Sequence, residues 1–105
     1  MKLSLFSVSY AGLWGQHRLD EPAFLARAAQ LGFEGVMLMG KRPHLSPLDT
    51  SDETLAALRA ALTENRLKCA VVAAYTDLSG AGAAEVPYLE MQIAYVQTLA
   101  RMARH

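Results

Sequence analysis

The residues with most chemical capacity in this chain cluster behind one apolar run. "MGKRPHLSPLD" (Met39 to Asp49) follows "FEGVMLM" and brings Lys41, Arg42 and His44 together within four positions. A lysine offers a point charge and an arginine a planar fork, so the pair suits an anionic or hydroxyl-rich ligand. An imidazole beside them could bind a ligand, move a proton, ligate a metal or brace the loop. Aromatic rings stand at or just beyond the ends of the other two apolar runs: Tyr10 and Trp14 for the first, Tyr75 for the third. Such rings can stack on the C–H faces of a sugar or cap a hydrophobic core. Asp77 reads as a turn-former or an acid. Glu90 and Gln92 fall near the start of the last helical pattern, with Glu90 expected in its first turn, where a carboxylate complements the helix dipole.

These groups need a scaffold, and the apolar pattern supplies one. Three runs have strand length: Leu3 to Tyr10, Phe33 to Met39 and Cys69 to Tyr75. The second and third are nearly continuous, as in strands covered on both faces of a parallel sheet. Helical patterns lie between and after them. The first takes Asp20 as N-cap, Phe24, Leu25, Ala28 and Leu31 as one apolar face and Gly32 as its stop. The second opens on a capping box of Thr50 and Glu53, continues through Leu55, Leu58 and Leu62, and closes at Asn65. The third has Pro87 in its first turn and an apolar face of Leu89, Ile93, Val96, Ala100 and Ala103. Strand starts recur about every 33 residues, the size of one βα unit. Right-handed crossovers then make all three strands parallel, with the helices on one side.

The reading is therefore an α/β chain of parallel βαβαβα order. In such folds the loops after the strands gather at one face and form the ligand site, which places "AGLWGQHR", "GKRPHLSP" and "TDLSGAGAAE" together. Three strands covered on one side leave an apolar face and open edges. A (β/α)8 barrel, which needs about 250 residues, or a doubly wound flavodoxin-like sheet would cover them. The third helical pattern is still amphipathic at His105. Residues 1–105 are accordingly expected to be a single partial domain that is completed by more chain or assembles with other copies.

Composition narrows the function classes. Of 105 residues, 52% are apolar, and ten basic residues balance ten acidic ones. A neutral chain without a basic stripe is not what phosphate-backbone binding calls for. The single cysteine, Cys69, excludes an internal disulfide and a Cys-x-x-Cys pair, and its apolar surroundings suggest a small buried core residue. No signal peptide and no stretch of the ~20 apolar residues that cross a bilayer are apparent. The expectation is a cytoplasmic protein with neither membrane nor nucleic-acid partners. There is no Gly-x-Gly-x-x-Gly after the first strand, no P-loop and no His-Glu-x-x-His or Cys/His cluster.

"LGFEGVMLMGKRPHLSPLD", "AVVAAYTDL" and "EVPYLEMQIAYVQTLARMA" together resemble the N-terminal part of the sugar phosphate isomerase/epimerase family, the xylose-isomerase-like TIM barrels. The resemblance spans the chain and the first three units of the eight-unit barrel. It implies a divalent cation (manganese, magnesium, cobalt or zinc) at the barrel's C-terminal face in the full-length protein. That ion would polarise the oxygens of a sugar or polyol ketone while a carboxylate moves the proton. The family's metal ligands lie mainly on later strands, so neither they nor a catalytic base is assigned here. Many relatives carry a glutamate in a "GVEL" pattern where this chain has Met37. On this reading Lys41, Arg42, His44, Tyr75 and Trp14 bind substrate, and the protein is a homo-oligomer. The alternatives are a catalytically inactive barrel fragment that self-associates through its exposed sheet face, and a same-fold apurinic endonuclease or dehydratase.

Overall fold

The computed structural model describes residues 1–76 and 86–105, apart from the side chains of Val86 and Pro87. Three strands, β1 (Ser4–Phe6), β2 (Gly35–Met39) and β3 (Lys68–Ala73), form a parallel sheet in the order β1-β2-β3. Three helices follow them in turn: α1 (Glu21–Gln30), α2 (Asp52–Glu64) and α3 (Val86–Met102). The chain is thus a mixed α/β unit with the expected element order.

Local chemistry explains the helix ends. Asp20 caps α1 by accepting from the Ala23 N–H at 3.0 Å. Gly32 follows it at φ +83°, a left-handed conformation that glycine adopts without a Cβ penalty. Leu31, the last residue of that apolar face in the sequence, is exposed beside this turn. The cap of α2 is Ser51, one residue beyond the expected Thr50. Ser51 Oγ accepts from the Thr54 N–H, while Thr50 Oγ1 donates back to the Ser46 carbonyl. Asn65 closes α2 as expected.

The core lies between the sheet and the first two helices. Phe24, Leu25 and Ala28 of α1 and Leu55 of α2 meet Val36 and Leu38 of β2, with Leu45 and Leu67 completing the cluster. Leu5 and Val72, cross-strand neighbours of Val36 and Leu38, pack against it from either side. The opposite sheet face carries the lateral row Phe6, Met37 and Val71. Phe6 and Met37 are half-buried and Val71 is exposed. Among the described residues, then, the helices cover one face only.

Three expectations need correction. The first run does not continue as a strand to Tyr10: residues Ser7–Tyr10 form a 3-10 turn against the end of β2. There the buried Ser7 Oγ accepts from the Met39 N–H at 2.9 Å, which turns the chain away from the sheet. Cys69 is exposed rather than buried, because residues 68–71 of the edge strand are left open. Its thiol still lies against apolar neighbours, and that desolvation pushes its pKa up.

The third correction concerns α3, where Glu90 is not in the first turn and the apolar face points outward. Leu89, Ile93 and Val96 are 45%, 47% and 39% exposed, and Ala100 is exposed too. The side that meets the rest of the chain carries Tyr95, Leu99 and Met102. Glu90 lies beyond the first turn, so it does not complement the helix dipole. The helix is seated by Gly40. A Cβ at that position would come within 2.7 Å of Leu99 and 2.8 Å of the Ala73 carbonyl, so only glycine lets α3 approach the strand ends.

Candidate ligand cleft

Gly40, immediately after β2, and Tyr75, just beyond β3, bring two of the strand-end loops together. Gly40 N–H donates to the Ala73 carbonyl at 2.8 Å, extending the β2–β3 pairing by one step. Tyr95 of α3 fastens the junction from outside: its hydroxyl donates to the Gly40 carbonyl and accepts from the Tyr75 N–H. Between these points opens a cleft of about 600 Å³, lined by Lys41, Pro47, Tyr75, Gln92, Tyr95 and Thr98 among others.

Lys41 and Tyr75 meet in the lining of this cleft. The Lys41 ammonium sits 4.2 Å from the centroid of the Tyr75 ring, a cation–π contact worth about 0.5–1 kcal/mol at an exposed site. Burial first, and then the neighbouring Tyr95, raises the Tyr75 phenol pKa. Tyr75 therefore stays neutral at ordinary pH and presents a ring face and an O–H. Gln92 adds an amide that can both donate and accept. These groups suit a small hydroxyl-bearing ligand. The described lining contains neither carboxylate nor imidazole; its polar groups include the Lys41 ammonium, the Tyr75 and Tyr95 hydroxyls and the Gln92 amide, which can bind and orient a ligand.

The other candidate residues lie elsewhere. Arg42 turns away from the cleft and forms a bidentate pair with Asp49, both contacts at 2.6 Å. That pairing raises the Arg42 pKa and lowers that of Asp49 through the shared hydrogen bonds. His44 is only 3% exposed and stacks beside Phe24, with ring centroids 6.1 Å apart. Its Nε2 lies 2.8 Å from the Leu19 carbonyl, which can only accept, so Nε2 carries the proton. His44 thus braces the β2–α2 loop against the segment before α1, and its buried Nδ1 has no partner among the described residues. Trp14 is 74% exposed on the turn before α1 and does not line the cleft. Asp77 lies outside the described residues.

Of the five candidate binding residues, the structure brings only Lys41 and Tyr75 together. Tyr95 went unnoticed in the sequence because it falls off the apolar stripe of its helix. That position was itself the available signal: a tyrosine beside the stripe has a ring to pack and a hydroxyl needing a partner.

Among the described residues no three His, Cys, Asp or Glu side chains converge, so none is assigned to the implied metal and no step through it is derived. None of the described helices is long and apolar enough to cross a membrane. What the fold and the cleft define is a parallel α/β unit with a small-molecule-sized cleft at the C-terminal ends of β2 and β3. No family model, curated protein or solved structure matches the chain.

Proposed function

We propose that this chain contributes the first three βα units of a xylose-isomerase-like barrel whose pocket binds a sugar or polyol ketone for isomerisation or epimerisation. The carrying observation is the Lys41–Tyr75 contact at the C-terminal ends of adjacent parallel strands, the end where such folds hold their ligands. The uncovered row Phe6, Met37 and Val71 supports the same reading, since closing a barrel would bury it. On this reading Lys41 donates to substrate hydroxyl or carbonyl oxygens, the Tyr75 ring stacks on the carbon skeleton and Gln92 fixes a further hydroxyl. The proton-transfer group and any metal come from other strands.

Ligand-observed NMR with a panel of ketopentoses, ketohexoses and inositol-derived ketones tests this. We expect weak saturable binding, with contacts to the Tyr75 and Tyr95 rings. Lys41→Ala should weaken it by about three- to tenfold, consistent with losing roughly 1 kcal/mol. Failure of every ketone to bind, or binding indifferent to both Lys41→Ala and Tyr75→Ala, would remove the proposal.

A further inference from the structure

We infer that α3 is a dimerisation element, and that its outward apolar stripe packs antiparallel against the same stripe of a second copy of this chain. Leu89, Ile93, Val96 and Ala100 are spaced four, three and four, the a/d pattern of a coiled-coil seam. At 100° per residue they fall within an arc of about 60°. All four are exposed, while Tyr95, Leu99 and Met102 of the same helix meet its own chain. Two apolar stripes on one helix require two partners, and the described residues supply one.

Charge identifies the second partner. Glu90 and Arg101 both lie about 100° round from the stripe's centre, on the same flank. They are exposed, and their separation of about 16 Å along the axis is too great for them to pair within one helix. An antiparallel partner solves both problems. Setting Leu89 opposite the partner's Ala100, and Ile93 opposite the partner's Val96, places Glu90 beside the partner's Arg101, and twofold symmetry repeats the pair. Parallel pairing would instead carry the partner's Glu90 and Arg101 to the opposite side of the seam, where neither could meet this Glu90. The helix is therefore complementary to itself in one direction only, a property expected of an isologous interface and not of one built for an unrelated protein.

Sedimentation velocity over a roughly hundredfold range of protein concentration tests this by mass action. The chain should form a reversible dimer. Ile93→Glu with Val96→Glu should raise the dissociation constant at least tenfold, with circular dichroism confirming an unchanged fold. Glu90→Arg and Arg101→Glu should each weaken association, and the two together in one chain should restore it. Val71→Glu, on the open sheet face, should leave the dimer intact. A monomer throughout the range overturns the inference. So does dimerisation that Val71→Glu abolishes and the α3 substitutions spare, or a double charge reversal that fails to restore what the single reversals lost.

Discussion

"GVMLM" in β2 and "KCAVVA" in β3 are both near-continuous apolar runs, yet they occupy different environments. In β2, Val36, Leu38 and Met39 are buried. In β3, residues 68–71 are exposed and only Val72 and Ala73 are half-buried. Position in the sheet makes the difference. β2 has a hydrogen-bonded neighbour on each side and lies beneath the α1 and α2 packing, whereas β3 is the edge, and α3 sits on its far end rather than along it. A continuous apolar run shows that a strand suits two covered faces. It does not show that its own protomer covers them.

The largest test of this contrast pairs one substitution on each strand. Leu38→Ala removes a side chain 1% exposed at the centre of the core and should cost about 2–5 kcal/mol. Val71→Ala removes one that is 44% exposed on the open face and should change stability by less than about 0.5 kcal/mol. Urea unfolding of both at one low protein concentration gives the comparison. Equal losses would mean that β3 is buried in solution, and the edge-strand account would fail.

A smaller effect sharpens the comparison at the strand ends. Beyond β2 the chain is held from several directions. Ser7 Oγ accepts from the Met39 N–H, His44 donates to the Leu19 carbonyl and Leu45 N–H donates to the Met39 carbonyl. Ser7→Ala leaves a buried Met39 N–H without its acceptor and should cost about 1–3 kcal/mol. Hydrogen exchange should show the Met39 amide losing protection while amides along β3 hardly change. Uniform loss of protection would mean that the Ser7 contact is not local to β2.

The pattern of success in the sequence follows the same physics. Alternating strand and helix runs, the Asp20 cap and the stop at Gly32 were legible because each depends on near neighbours in the chain. The 3-10 turn at Ser7–Tyr10 was not, because Ser7 finds its partner 32 positions away. The α3 stripe is legible as apolar, but the direction it faces is not. Hydropathy marks what water disfavours, and it carries no information about which partner covers it. In the candidate site, Lys41 and Tyr75 were recognisable as strand-end residues with binding chemistry. Arg42 and His44 had the same position and equally suitable types. Their separation from the cleft rests on Asp49 and on the Leu19 carbonyl, neither of which shows a ligand motif.

The Arg42–Asp49 pair should give the smallest effect, because it is open to solvent and held only by its own geometry. Hydrogen bonding to Arg42 lowers the Asp49 pKa from its ordinary value of 3.8. The unfolded chain therefore takes up the proton before the folded one does. The pair's contribution is fully present above the unfolded carboxylate value and is lost as pH falls through the lower folded value. Asp49→Asn should accordingly be slightly less stable than the native chain at neutral pH, by less than Ser7→Ala, and the difference should shrink toward zero under acid. Salt should reduce it as well, since the charges are exposed. The two unfolding curves measured from neutral to acid pH decide the matter. A difference that grows on acidification would show that Asp49 is protonated more readily in the folded chain, and that the bidentate contact does not hold the β2–α2 loop in solution.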